Sequence, residues 1–435
     1  MKKALTILIL LVCNYAHAQL YFPPATGTAW DTLSPSSLGW CQDRIDSLYS
    51  YLDSRNTDGF IVLKDGKIVL EKYFGTFTAD SVHYWASASK SLTAMLTGIA
   101  QEQGLLHISD LVSNSIGTGW TTAPLAKENL ITIRHLLTMT SGLNDTVAAP
   151  CTNDDTSAGC LRYLADAGSR WAYHTGAYRK LQAVITAVSG LNYNTFTANN
   201  IGNITGMTGL WYNGVFYSKP RSMARFGLLS LNRGVWGPDT ILHDTAYFNA
   251  MVNTSQSFNP AYGYLWWLNG KTTFISPGSQ YVFSGALMPN GPTDMFCALG
   301  KDDQKIYVVP SRNMVIIRTG ASAYGVALAF SPFDDELWGK IDSLGYGCST
   351  GVSTTSERDM QISIYPNPAN HIVNISLPGQ RFSMDIYEPT GRLIYHNANN
   401  NGNSAADCSS FAPGIYIVII TTSNNKVIRS KLIVE

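Results

Sequence analysis

Charge is scarce in this chain. Asp, Glu, Lys and Arg make up only 14% of 435 residues, and the two signs cancel at 30 each. There is no basic field to hold nucleic acid and no polybasic segment for an anionic membrane. A hydrophobic content of 45% points to a globular chain and excludes a disordered one. Beyond the first 18 residues no run is long and apolar enough to span a bilayer. His-Glu-x-x-His is absent, and the eight histidines show no metal-ligand spacing. No internal repeat is evident.

What is present begins with an export signal. Lys2 and Lys3 form a charged n-region, and Ala4 to Val12 form an apolar segment too short to cross a membrane. Ala16-His17-Ala18 is an A-x-A cleavage site, which assigns residues 1–18 to a signal peptide and starts the mature chain at Gln19. Cys13 lacks the small preceding residue of a lipoprotein signal, because Val12 stands there. The mature chain keeps an even set of cysteines, as exported disulfide proteins do. Cys151 and Cys160 bracket a short polar loop and are expected to pair. Cys41 and Cys348 lie near the two ends of the main domain and form the second candidate pair, while Cys297, in an apolar strand, reads as a buried thiol.

The length suggests at least two domains. A Ser/Thr/Gly-rich linker over residues 348–359 separates an enzyme-sized domain, 19–347, from an all-β pattern over 360–435. The main domain opens with a predicted helix near Leu38 to Asp53. A hairpin follows, Gly59 to Leu63 and Lys67 to Phe74, turning at Asp65-Gly66. The next helix starts at Ser87, with Leu92, Met95, Leu96, Ile99 and Ala100 as its apolar stripe and Gly104 beyond its end. The middle, about Ile131 to Leu231, reads as mostly helical. Strands return at Met295 to Leu299 and Lys305 to Arg318, and a helix near Asp334 to Leu344 closes the domain. Strands at both ends with helices inserted between them predict an α+β sheet lobe flanked by helices and a separate helical lobe.

Three stretches carry candidate chemistry. In Ser87-Ala-Ser-Lys90 the hydroxyl and the amine fall one helical turn apart on one face, the minimum for a serine nucleophile with a lysine base. A helix N-terminus there would aim free N–H groups at Ser87, and its own N–H could receive an oxyanion. Read alone, the same four residues read first as an N-terminal serine and a solvated lysine. In Tyr173-His174-Thr175, Thr175 reads as the N-cap of a helix over Gly176 to Ser189 ended by Gly190. Tyr173 then sits on the turn before that helix, where it could relay protons. In Phe296 to Gln304, a strand ends in Gly300, which lets a substrate lie close to the backbone, and the N–H of Lys301 is a second candidate oxyanion donor.

In this order, Ser87-Ala-Ser-Lys90, Tyr173-His-Thr175 and Ala298-Leu-Gly300 with Tyr307-Val-Val-Pro310 resemble the serine hydrolases of the class C β-lactamase-related, penicillin-binding-protein-like family. Ile131 to Leu143 resembles its connecting segment, and Arg221 to Gly227 and Tyr262 to Trp267 resemble its later helix and strand, so the likeness spans about residues 38–345. It implies attack by Ser87 on an acyl carbonyl, proton transfer by Lys90 and Tyr173, and an oxyanion held by the N–H groups of Ser87 and Lys301. It implies no metal or organic cofactor. Thr175 stands where lactam-binding relatives have asparagine, and Ala298-Leu299-Gly300 stands where they have Lys-Thr-Gly. Both departures favour an ester or amide substrate, small or peptide-like, over a β-lactam or a D-Ala-D-Ala peptide. Peptidoglycan carboxypeptidase or β-lactamase activity is the alternative within the enzyme class. A non-catalytic surface binding protein on a hydrolase scaffold is the alternative outside it.

Two further matches are set aside. Lys271-Thr272-Thr273 approaches Lys-Thr-Gly but lacks the glycine and follows a predicted turn at Asn269-Gly270. Gly347-Cys-Ser349-Thr-Gly351 matches Gly-x-Ser-x-Gly but has no strand before it and no helix after it. The last domain, with Ile364-Tyr-Pro-Asn-Pro-Ala369, Asp385-Ile-Tyr, Thr390-Gly-Arg392, Phe411 to Ile419 and Lys431 to Glu435, closely resembles the C-terminal sorting domain of the type IX secretion system. That likeness implies a small β-sandwich that engages the type IX machinery and directs a secreted or cell-surface protein across the outer membrane.

Overall fold

In the computed structural model, residues 20–325, 329–345, 348, 362–388, 390, 392–423 and 427–435 are described. The predicted signal peptide, the body of the linker and all but Cys348 of the Gly347–Gly351 match lie outside them. The chain divides into two units, Met1–Cys348 and Ser349–Glu435.

The first unit is built on six antiparallel strands, in the order Lys67–Tyr73, Thr57–Lys64, Met314–Gly320, Gln304–Val309, Phe296–Gly300 and Trp267–Leu268. The N-terminal hairpin turns at Asp65 and Gly66, both at positive φ, as an Asp-Gly turn requires. Its first strand pairs with the last strand of the unit, Ile61 opposite Ile317. The sequence therefore leaves the sheet after Tyr73, builds the helical region and returns to finish the sheet.

The inner strands are buried on both faces, and their alternation still assigns each face a partner. Lys305, Tyr307 and Arg318 point to the helix Pro332–Asp342: the Tyr307 ring meets Trp338 at 5.7 Å and the Arg318 guanidinium lies 5.1 Å from the Phe333 ring. Ile306 and Val315 point the other way, to the helix Pro220–Leu231. A Cβ on its Gly227 would stand 2.4 Å from Val315 Cγ1, so only glycine lets that helix lie so close to the sheet. The helix Ser89–Glu102 is buried on nearly every side from Ser89 to Ala100, the pattern of a central helix and not of a surface one.

Three sequence expectations change. The middle is less helical than predicted. Thr138 to Tyr173 holds no helix except a 3-10 turn at Ala158–Cys160, and short strands Leu210–Tyr212 and Val215–Ser218 pair with each other and with His83–Tyr84. Gly142, Gly168 and the polar run between Cys151 and Cys160 break the helical period there. The single run predicted over Lys305 to Arg318 is two strands, because Pro310 to Asn313 turn the chain, with Asn313 left-handed. The first helix starts at Gln42, after a 3-10 turn over Pro35–Leu38.

The second unit is all-β. Ser363–Tyr365, Ile372–Tyr387, Gly414–Thr422 and Val427–Val434 run side by side, and Leu393–Asp407 joins on Ile372–Tyr387. The strands form one continuous hydrogen-bonded sheet. Register shifts along its longest pair bend it. The curled sheet buries Val373, Ile375, Phe382, Met384, Ile386, Val418, Ile420 and Leu432 in a core of its own.

Candidate active site

Ser87 lies in a 3-10 turn, Ala86–Ala88, that runs directly into the helix Ser89–Glu102. The serine thus stands in the turn that leads into the α-helix, not at the helix's first position. Trp85 anchors this turn. It is fully buried, its backbone N–H donates to Phe216 O at 2.8 Å and its indole N–H donates to Ser218 Oγ at 2.7 Å. Ser89 Oγ accepts from Phe216 N at 2.9 Å, which ties the start of the helix to the same strand. Ala86 holds φ 49°, an uncommon left-handed conformation for a residue with a Cβ, immediately before Ser87.

Lys90 is buried and donates from Nζ to Ser87 Oγ at 2.8 Å. Its ammonium faces two aromatic rings, Tyr173 at 4.9 Å and Tyr178 at 4.4 Å from the centroids. Burial pulls the Lys90 pKa down to about 7, the Asp154 carboxylate works against that, and the Arg179 charge adds to it. A lysine that would carry a proton in water therefore loses it near neutral pH.

Tyr173 is buried among aromatic rings, nearly parallel to Trp267 at 6.0 Å and edge-on to Tyr262 at 6.2 Å. Burial raises its phenol pKa, and a side-chain interaction with Ser87 partly offsets the rise. Ser87, Lys90 and Tyr173 therefore form one cluster. Thr175 is not the N-cap: it opens the helix Thr175–Ser189, and His174 caps it by accepting from Ala177 N at 3.4 Å. Burial lowers the His174 pKa to about 4, so the ring is neutral and its Nδ1 is free to accept. Gly190 ends the helix at φ 67°.

Gly300 closes its strand against the nucleophile turn. A Cβ there would lie 2.4 Å from the Trp85 carbonyl oxygen and 3.0 Å from Ala86 Cβ. Lys301 follows in a tight turn whose Asp302 and Asp303 both have positive φ. The Tyr84 hydroxyl donates to the Asp302 carboxylate, linking this turn to the strand that leads into Ser87. Lys271 to Thr273 instead enters a separate hairpin, Thr273–Ile275 with Val282–Ser284. Gly300→Ala is expected to destabilise the protein by about 1–3 kcal/mol through this overlap, measured as a lowered urea midpoint; an unchanged midpoint would mean that the strand and turn are not in contact.

Cys41 is joined to Cys348 and Cys151 to Cys160, while Cys297 is a buried free thiol. Among the described residues no group of three His, Cys, Asp or Glu is placed to hold a metal ion, and no helix is long and apolar enough to cross a membrane. Sequence reasoning missed Asn153, Tyr178 and the buried pair Asp145–Arg170 at 2.8 Å. Tyr178 lies in the helix that follows the second motif, which was the available signal; Asn153, 20 residues before Tyr173, meets the motif only once the chain folds back.

Comparison with known proteins bears on both units of the chain. Residues 46–215 match the family model of the beta-lactamases, and residues 363–435 match that of the secretion system C-terminal sorting domain. Among solved structures, a protein assigned to the beta-lactamases from Bacteroides dorei superposes with a TM-score of 0.55 at 18% identity, covering 69% of this chain and 99% of that one. A family VIII carboxylesterase superposes with a TM-score of 0.51 at 12% identity, covering 70% and 98%. Ulvan lyase NLR42 from Nonlabens ulvanivorans is 33% identical over 89 residues, 20% of this chain. The chain spans only 17% of the length of that curated relative.

The protein therefore joins a beta-lactamase family domain, of penicillin-binding-protein-like fold, to a type IX C-terminal sorting domain. The members of that family are typically serine hydrolases, and the sorting domain indicates secretion or display at the cell surface.

Proposed function

We propose that the protein is an exported serine hydrolase that cleaves an ester or amide through an acyl-enzyme on Ser87. The observation that carries this reading is the 2.8 Å hydrogen bond from a buried Lys90 Nζ to Ser87 Oγ. With its pKa lowered to about 7, Lys90 is partly neutral at physiological pH and takes the Ser87 proton as attack begins. Tyr173, whose phenol stays protonated because burial raises its pKa, gives its proton to the leaving group and is reprotonated from Lys90, so the Ser87 proton ends on the leaving group. The N–H groups of Ser87 and Lys301 receive the oxyanion, supported by the contact of Gly300 with Trp85 and Ala86. Water then releases the acyl group by the same path in reverse.

The absence of Lys-Thr-Gly at residues 298–300 supports a substrate that needs no carboxylate holder. A fluorophosphonate probe is expected to label the mature protein at Ser87, located by peptide mass spectrometry, and Ser87→Ala is expected to abolish the label. Labelling that persists in Ser87→Ala would remove Ser87 from the nucleophile role. Turnover of a chromogenic cephalosporin faster than of p-nitrophenyl acetate would replace the ester and amide reading with the β-lactamase one.

A further inference from the structure

We propose that Asn153 is a positioning residue for Tyr173, and that the Cys151–Cys160 loop holds it in place. The proposal rests on the acyl-transfer reading above and adds a part to that site. Asn153 lies 20 residues before Tyr173 in a polar loop, yet its side chain meets the second motif directly. Its Nδ2 donates to Tyr173 O at 3.1 Å and to Asp145 O at 2.8 Å. Its Oδ1 accepts from Thr175 N at 2.7 Å, and its backbone carbonyl accepts from Gly176 N at 2.7 Å. One residue thus engages Tyr173, Thr175 and Gly176 together.

These bonds fall where a helix needs them. The first N–H groups of a helix have no partner within it. In the helix Thr175–Ser189, His174 satisfies Ala177, and Asn153 satisfies Thr175 and Gly176 from another part of the chain. The grip is close as well as polar. A Cβ at Gly176 would stand 1.9 Å from the Asp155 carbonyl oxygen, so the loop presses on a position that only glycine can fill.

The loop is itself fixed at several points. Its ends are tied by the disulfide, with Cα atoms 5.4 Å apart. Within it, Thr152 N donates to Asp155 Oδ2 at 2.6 Å. From the helix, Arg179 Nη1 donates to Asp154 O at 3.0 Å. The other acceptor of Asn153 belongs to Asp145, whose carboxylate is buried against Arg170. The Tyr173 backbone is thereby held between the disulfide loop and the helix, and the phenol's approach to Ser87 depends on that backbone. Displacements well under 1 Å matter for groups that transfer protons, and a misplacement of about 1 Å costs on the order of 10²-fold in rate.

A leaving-group series distinguishes positioning from general damage. A relay through Tyr173 matters most when the leaving alcohol is a poor one, because p-nitrophenolate departs without a proton. Asn153→Ala is expected to lower kcat about 100-fold on ethyl acetate and about 10-fold or less on p-nitrophenyl acetate, with KM within threefold, and Tyr173→Phe is expected to show the same bias. Asn153→Asp keeps the acceptor for Thr175 but loses both donors, and covers the case in which Asn153→Ala does not fold. Cys151→Ser/Cys160→Ser is expected to bias the ratio in the same direction by a smaller factor, whereas Cys41→Ser/Cys348→Ser leaves the ratio as in the wild type. A uniform loss on both esters, or no loss, overturns the positioning role while the acyl-transfer reading stands. Wild-type protein that hydrolyses neither ester and is not labelled by a fluorophosphonate overturns that reading and this proposal with it.

Discussion

Lys90→Met is expected to lower kcat/KM on a p-nitrophenyl ester by about 10³–10⁴-fold without lowering the melting temperature. The two halves of this expectation have one cause. Lys90 is buried, and its pKa is drawn down to about 7 chiefly by that burial. In the unfolded chain the amine holds its proton up to the ordinary lysine range. Between about pH 7 and that range the unfolded state therefore binds more protons than the folded one, and stability rises with pH. At lower pH the buried site must carry a charge or lose a proton, and both oppose folding. Methionine fills a similar volume with no charge, so its stabilising effect is expected to be larger at pH 6 than at pH 9. Activity depends on the neutral amine. In the wild type kcat/KM should climb through a midpoint near pH 7 and level off above about pH 8, where roughly nine-tenths of the base is neutral. A variant that keeps more than a tenth of wild-type turnover would exclude Lys90 as the base. A lower melting temperature at every pH would show that the lysine was a net structural contact.

Lys305→Met is expected to cost about 3–5 kcal/mol of stability, the largest loss predicted here for a single side chain, read as a fall in the urea midpoint. Lys305 is fully buried between two carboxylates, with Nζ 3.1 Å from Asp303 Oδ1 and 2.8 Å from Asp334 Oδ1. It also donates to Ala329 O at 2.9 Å. Removing the cation leaves both acids in the core. Ala323 N and Ser331 Oγ still donate to Asp303, Tyr307 Oη and Ser331 N still donate to Asp334, and the Arg318 charge still acts on both through space, but the cation in direct contact with each acid is gone. The pH dependence has a definite sign. Burial works to raise the Asp303 pKa, but the Lys305 charge and three hydrogen bonds outweigh it and hold the carboxyl below its usual range. A depressed acid contributes stability that is present above its unfolded pKa and is lost as pH falls through the folded one. Without Lys305 that loss should begin at higher pH. Lys305→Met combined with Asp303→Asn should recover part of the deficit, because the two residues share one interaction. A midpoint within 0.5 kcal/mol of wild type in the single variant would show that the pair is not a net support.

These two lysines differ in how far the sequence reveals them. Ser87 and Lys90 are separated by one turn, so their meeting follows from local geometry alone. Tyr173 and Gly300 lie far along the chain, and only their order and flanking segments mark them. Lys305 was hidden in an apolar strand, Gln304–Val309, where alternation predicts burial but cannot name the carboxylates that come from a turn and from a helix 29 residues on. Asn153 was hidden for a similar reason: a polar residue in a Thr-Asn-Asp-Asp loop reads as solvated until the helix it caps folds against it. The misplaced cap at Thr175 is a subtler case. A threonine before a helix is a common cap, but here the neighbouring histidine, neutral because buried, supplies the acceptor one residue earlier. The helical reading of the middle fails because Gly142, Gly168 and the disulfide loop between Cys151 and Cys160 commit the backbone elsewhere.

The bond between Cys41 and Cys348 gives the first unit the topology of a closed ring. Cys41 precedes the first α-helix and Cys348 is the unit's last residue, at a sequence separation of 307 and with their Cα atoms 5.5 Å apart. If the chain is cut beyond Cys348, the new end remains clamped beside Cys41, and a carboxypeptidase working back from it meets a cross-link before it reaches any strand of the sheet. A single internal nick would leave two fragments covalently attached. For a protein that is secreted or displayed at the cell surface, the ring separates loss of the tail from erosion of the body.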